Sequence, residues 1–168
     1  FETIDVALTE SVLSMMEGLL PEFGALGKIK QPTGGAIATA APSNAYPTAD
    51  EQWILIAANS EPLFAKLLSL MGRVDLVTDP RFAGNAQRVQ HAAELDGLIA
   101  GWSRQYTAEN LSRMLAAADI PSSKVYTAED IAQDPQYRAR GMVREVEDPL
   151  LGTVLHPGIV PHFPDAPG

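Results

Sequence analysis

Gly34 and Gly35 are the residues whose type and placement best suit a role beside a reaction. Adjacent glycines give a backbone the freedom to close over a reacting centre. The plain alternative is a connector loop. They do not form a phosphate loop, because no Gly-Lys-Ser or Gly-Lys-Thr follows. Arg81, Arg88, Arg138 and Arg140 have the chemistry to hold a carboxylate or phosphate, or else to pair with the chain's many acids. Of the three histidines, His156 and His162 lack neighbouring acidic or cysteine ligands at metal spacing and His91 reads as a solvent-facing helix residue, so no metal site is expected. Asp50-Glu51 reads as a turn, Glu129-Asp130 as a helix start, and Glu145 and Glu147 as the wet face of a strand. Nothing singles out a general acid and base, and there is no Gly-x-Ser-x-Gly elbow. Trp53 and Trp102 lie in apolar patterns and read as core anchors.

The elements that must position these groups follow from periodicity. Val12, Leu13, Met16, Leu19 and Leu20 predict an amphipathic helix over 3–20, stopped by Pro21, Gly24 and Gly27. Residues 28–45 then read as a long exposed loop carrying Gly34-Gly35. Tyr46-Pro47-Thr48, a turn at Ala49-Asp50-Glu51, and Trp53 to Ala57 predict a hairpin. Its second strand is apolar on both faces, so it should be central and covered.

Ser60 is placed to cap a helix with Pro62 in its first turn, a stripe of Leu63, Phe64, Leu67, Leu68 and Met71, and a stop at Gly72. A helix from Asn85 to Trp102 should bury Val89, Ala92, Leu95, Ile99 and Trp102, leaving His91 in solvent. Thr107 caps another, with Leu111, Met114 and Leu115. Thr127 to Asp130 has capping-box spacing, and Asp134-Pro135 starts a short helix that Gly141 closes. Met142 to Val146 and Thr153 to Leu155 read as paired strands, Ile159-Val160 as a third. Pro157, Pro161, Pro164 and Pro167 imply an extended tail. Helices grouped in the middle with strands at both ends predict an α+β fold, helices around a small, mainly antiparallel sheet.

At 168 residues the chain can bury a real core. Its 46% hydrophobic and 20% charged content suits a soluble globular protein. With 12 basic and 21 acidic residues, a net charge of −9 argues against nucleic-acid binding. No apolar run is long enough for a membrane span. The absence of cysteine excludes disulfides and thiolate chemistry and is compatible with a cytoplasmic setting. The start, Phe1-Glu2-Thr3-Ile4-Asp5, is not a signal peptide and reads as a point within a longer protein.

A set of short motifs carries a resemblance. They are Thr78-Asp79-Pro80-Arg81-Phe82 with Asn85 and Arg88, then Ile120 to Val125, then Asp134-Pro135-Gln136 and Ala139-Arg140-Gly141-Met142. In this order the chain resembles the small domain of the family III CoA-transferases, a group that includes the alpha-methylacyl-CoA racemases. The resemblance implies a connecting helix at 1–27 leading from a large domain, and a small domain at 28–168. It implies a CoA thioester as substrate, no required cofactor, a homodimer, and a catalytic aspartate in the large domain that passes through aspartyl anhydride and aspartyl-CoA. No residue here corresponds to that aspartate. Gly34 and Gly35 align in order with the family's glycine loop near the thioester, making them the expected substrate-side residues. A racemase parent and a non-catalytic assembly module are the alternatives.

Overall fold

The computed structural model describes residues 7–16 and 18–160. The predicted 3–20 helix is two short helices, α1 (Leu8–Met15) and α2 (Leu19–Leu26); residues 3–6 lie outside the described residues. Pro21 begins α2 rather than stopping a helix. It occupies the first turn, where a missing N–H costs nothing because those amides have no helical partner. Gly24 is accommodated mid-helix, and the stop falls at Gly27, where φ is 65°. Neither helix contains a buried residue, so the stripe of Val12, Leu13, Met16 and Leu20 faces outward. No helix among the described residues is long and apolar enough to cross a membrane.

The predicted hairpin is present as β1 (Ser43–Pro47) and β2 (Trp53–Ala57), antiparallel with Tyr46 opposite Ile54. A strand not foreseen, β3 (Ser122–Lys124), pairs antiparallel with the far edge of β2 and completes a sheet of order β1-β2-β3. β2 is therefore central, but only one face is covered. Ile54 and Ile56 are fully buried, whereas Trp53 is 49% and Leu55 42% exposed. Alternation along a strand sends these pairs to opposite sides, and the helices occupy one side alone. Trp53 is thus not a core anchor, while Trp102, 7% exposed, is.

The covering helices are α3 (Glu61–Leu70), α4 (Asn85–Gln90), α5 (Ala92–Ser103) and α6 (Ala108–Ala117), with a 3-10 turn at Val74–Thr78. Phe64, Leu67, Leu68, Leu95, Ile99, Leu111 and Leu115 pack with Tyr46, Ile54 and Ile56 into one core. Ser60 holds the N-cap position of α3, its carbonyl accepting from the Phe64 amide at 2.8 Å, but its side chain makes no capping bond. Thr107 does cap α6, accepting from the Asn110 amide. The predicted Asn85–Trp102 helix breaks at His91, where φ is −106° and ψ 23°. Arg88 rather than Val89 takes the fully buried place; seven residues before Leu95, it falls on the helical face that Leu95 shares with Ile99 and Trp102. His91 is half-buried, its ring edge-on to Phe82 at 6.4 Å.

The last elements are α7 (Ala128–Gln133), α8 (Pro135–Ala139), β4 (Val143–Asp148) and β5 (Gly152–Pro157). The Thr127–Asp130 capping box is complete, and Asp134 accepts from the Gln136 and Tyr137 amides. β4 and β5 form a separate antiparallel pair with Val146 opposite Val154. β5 continues through Pro157, and Ile159-Val160 adds no third strand. Pro161, Pro164 and Pro167 lie outside the described residues. No residue from Pro121 to Val160 is buried, so β4 is wet on both faces and Val146 is exposed beside Glu145 and Glu147. The class is α+β as expected, with the strands divided between two small antiparallel sheets.

Candidate functional site

The predicted 28–45 loop is irregular and mostly exposed only from Lys28 to Ala40, since Ser43 to Ala45 belong to β1, and its two glycines do different work. Gly34 has φ of +63°, the left-handed region that L side chains adopt at a cost. Around it a turn is closed by the Ala36 amide donating to the Thr33 carbonyl at 3.2 Å, and by the Thr33 hydroxyl donating to the Ala36 carbonyl at 2.7 Å. Gly35 is needed for closeness. A Cβ there would lie 3.1 Å from both the Ala45 Cβ and the Asn44 Oδ1. The turn thus rests directly on β1.

Asn44 is itself held. Its Nδ2 donates to Asp96 Oδ2 on α5 at 2.9 Å, and the Tyr46 hydroxyl donates to Asp96 Oδ1 at 2.5 Å. Burial, and then the Asp96 hydrogen bond, push the Tyr46 phenol far above its ordinary range, so it stays protonated. Downstream of the turn, the Ile37 amide donates to the Ser43 carbonyl at 3.0 Å. The Asn85 carboxamide then holds two backbone groups together: Nδ2 donates to the Thr39 carbonyl at 2.9 Å, and Oδ1 accepts from the Ala41 amide at 3.1 Å. Arg88 Nε donates to the Ala41 carbonyl at 2.8 Å. The loop's second half is fastened to α4.

Two hollows flank the glycine turn. One, of about 370 Å³, lies on the uncovered side of the sheet and is lined by Gly35, Ile37, Asn44, Leu55, Pro121 and Ser122 among others. The other, of about 390 Å³, is lined on its polar side by Glu22, Lys28, Lys30, Gln31, Thr33 and Thr39. Within it Lys30 Nζ lies 3.7 Å from Glu22 Oε1. The turn therefore divides an apolar floor from a mixed-charge recess. This arrangement suits positioning and shielding of a ligand rather than bond making.

Of the four arginines able either to reach an anion or to pair locally, Arg81, Arg88 and Arg138 serve local structure. Arg88 is fully buried. It donates to the Asn59 and Phe82 carbonyls and to both oxygens of Glu61, with its guanidinium 4.5 Å over the Phe64 ring. Arg81 grips Asp79, 2.6 Å away, and also pairs with Glu94. The Arg81 hydrogen bond holds the Asp79 carboxyl down at about 2. Arg138 Nε donates to the Ala132 carbonyl. None of Arg81, Arg88, Arg138 and Arg140 lines either hollow. His156 borders a separate apolar hollow of about 300 Å³ with Met142, Val143 and Leu155, and His162 lies outside the described residues.

Asp50 is more than a turn residue: it accepts from Thr48 Oγ1 at 2.6 Å and from the Ala108 amide at 3.1 Å, holding the start of α6. Among the described residues no three His, Cys, Asp or Glu side chains cluster as metal ligands. Reading the sequence brought Asn85 forward as a motif residue without a role, and missed Asn44, Asp96 and the two lysines. Contacts spanning 44 to 52 positions leave no local signal.

Comparison with known proteins converges on one group. The pattern of CoA-transferase family III matches residues 2–168. The chain is 41% identical over 167 residues to the succinyl-CoA–D-citramalate CoA-transferase of Chloroflexus aurantiacus, covering 99% of this chain and 42% of that protein. It is 30% identical to the beta subunit of that organism's succinyl-CoA–L-malate CoA-transferase, covering 98% of this chain and 41% of the subunit. The crystal structure of a CAIB/BAIF family protein from Brucella suis superposes with a TM-score of 0.77 at 30% identity, over 99% of this chain and 42% of that one. The chain thus spans about two fifths of the length of these relatives.

Proposed function

Since the chain belongs to CoA-transferase family III, we propose that it is the small domain of an enzyme that moves CoA between carboxylic acids. The match across residues 2–168, with 41% identity to a succinyl-CoA-dependent transferase, carries this reading. Residues 1–27 are the connection to the large domain and 28–168 the small domain. The large domain supplies a nucleophilic aspartate. Its carboxylate attacks the donor thioester and expels the CoA thiolate, leaving a mixed anhydride. The thiolate returns to the aspartyl carbonyl, releasing the donor acid and forming aspartyl-CoA. The acceptor carboxylate then attacks aspartyl-CoA, and thiolate attack on the resulting anhydride gives the new acyl-CoA and frees the aspartate. Covalent steps divide one hard transfer into easier ones. The sequence needs no metal and no added cofactor beyond the CoA thioester substrate.

Anhydride and thioester intermediates are lost if water reaches them. Gly34 and Gly35 act on the substrate side by bringing a close-fitting backbone turn over the reacting group. The outward apolar residues of α1, α2 and β2 support docking of the large domain, since contiguous exposed apolar surface marks interaction sites. In the intact protein the assembly is a cytoplasmic homodimer. A racemase parent is the alternative left by the sequence; the 41% identity to a named transferase favours transfer.

The test compares this chain with the full-length polypeptide that carries it, using succinyl-CoA as donor and D-citramalate or L-malate as acceptor. The longer protein is expected to form the new acyl-CoA at roughly 1 per second or faster, and this chain alone to form none. Turnover by the isolated chain would put the nucleophile in the wrong place. Absence of transfer by the longer protein, whichever carboxylic acid is offered, would remove the transferase reading.

A further inference from the structure

We propose that Asn85 is a positioning residue for the glycine turn, setting the point at which the 28–41 segment can move. This rests on the shielding role given above to Gly34 and Gly35. The Asn85 carboxamide is a donor to the Thr39 carbonyl and an acceptor for the Ala41 amide, the pairing that a neighbouring β-strand would supply. Few side chains can do both. Aspartate lacks the donor, serine is too short to span the two groups, and glutamine carries the amide one methylene further out. The opposite side of the same peptide segment is held by buried Arg88 on the Ala41 carbonyl.

Upstream of Thr39 the fastening is sparse. The Ile37 amide reaches Ser43, and Gly35 lies against β1. The hydrogen bonds of Thr33 and Ala36 stay within the turn. Lys28 to Thr33 are exposed. The structure is a turn with one well-built anchor, and Asn85 forms the anchor's turn-facing half. With Asn85 in place, motion of the turn pivots before Thr39 and the two hollows keep their shared wall. Without it, the pivot moves to the Arg88–Ala41 bond and the wall loosens as a whole. The Asp79-Pro80-Arg81-Phe82 motif and Asn85 then have distinct tasks: the first shapes the approach to α4, the second reaches across to the loop.

Amide hydrogen exchange of this chain tests the anchor directly. In Asn85→Ala, Ile37, Ala40 and Ala41 should exchange about tenfold faster, the effect expected from losing two ordinary hydrogen bonds. Leu95 and Leu111 in the core helices should stay unchanged. Asn85→Asp keeps the acceptor for Ala41 and loses the donor to Thr39. It should speed Ile37 and Ala40 while leaving Ala41 protected, which guards against a variant that merely folds poorly. Acceleration spread equally over core and loop in both variants, or none in either, overturns the proposal.

The second arm uses the full-length polypeptide and the ratio of succinyl-CoA hydrolysis to CoA transfer. Both variants should raise that ratio about tenfold with KM for succinyl-CoA little changed, as a looser wall admits water without removing binding contacts. An unchanged ratio beside a loosened loop overturns the positioning role. If the unsubstituted full-length protein transfers no CoA, the transferase reading falls, and the exchange result alone decides whether Asn85 is the anchor.

Discussion

Replacing Arg88 by Met removes every donor from a buried site while nearly preserving its volume. The carbonyls of Ala41, Asn59 and Phe82, at 2.8, 2.8 and 3.2 Å, lose their partner. Each buried acceptor left bare costs about 1–3 kcal/mol. Taking the low end, because small rearrangements recover part of each loss, gives about 3 kcal/mol. The ionic part is small: the Glu61 side chain is 62% exposed, so its carboxylate is rehydrated when Arg88 is gone. Arg88 matters here as a donor to carbonyls more than as a charge. Against a total stability of about 5–15 kcal/mol, Arg88→Met is a severe change. Urea unfolding followed by circular dichroism measures it. With a slope of about 1–3 kcal/mol per molar urea, the midpoint should fall by about 1 M or more at unchanged slope. Glu61→Gln, in the same assay, keeps one acceptor on Arg88 but takes the carboxylate from a fully buried guanidinium, so it should cost more than an exposed pair would and less than Arg88→Met. A loss for Arg88→Met of under about 1 kcal/mol, or one for Glu61→Gln as large as that for Arg88→Met, would refute the role of Arg88 as a donor to these carbonyls.

Three further outcomes are expected. Trp102→Ala should cost about 3–5 kcal/mol and Trp53→Ala markedly less, since Trp102 is buried and Trp53 half-exposed; equal losses in urea unfolding would contradict the one-sided sheet. Gly34→Ala should destabilise by about 1 kcal/mol through its left-handed backbone, whereas Gly24→Ala, in α2 with open space around it, should be neutral or stabilising by up to about 1 kcal/mol. Asp130 is held at about 2 first by the hydrogen bond from Lys124, then by those from Thr127. Its carboxyl is depressed in the folded state, so the stabilisation is full above about pH 5 and fades as pH falls through about 4 toward 2. Carboxyl NMR should show a midpoint near 2 that Lys124→Gln raises; an ordinary midpoint in the parent would refute the pairing.

The features legible in the sequence were those in which neighbours along the chain act on one another. Thr127 and Asp130 read as a capping box because both partners lie within one helical turn. Pro135 read as a first-turn residue because Asp134 before it supplies the cap. The β1–β2 hairpin was visible because its strands are joined by a short turn. Errors arose where a local rule had two outcomes. Pro21 can end a helix or begin one, and the neighbouring residues do not choose. Val89 and Arg88 are adjacent and the apolar one reads as inward, yet Arg88 is buried, because the carbonyls of Ala41, Asn59 and Phe82 accept from it. An apolar strand suggests two covered faces, yet β2 has one, because coverage depends on what packs nearby.

For the candidate site the division is sharper. The residue types of Gly34 and Gly35 by themselves marked a loop with backbone freedom, and the ordered motifs by themselves marked the family. Only the tertiary structure distinguished the two glycines, one required by φ of +63° and the other by the approach to Asn44 and Ala45. Only it turned Arg88 from a candidate anion binder into a buried brace and Asn85 into an anchor for Thr39 and Ala41. The physical reason is range. Capping, turn formation and helical periodicity are settled within a few residues, whereas burial and these hydrogen bonds join groups more than 40 positions apart and exist once the chain has folded.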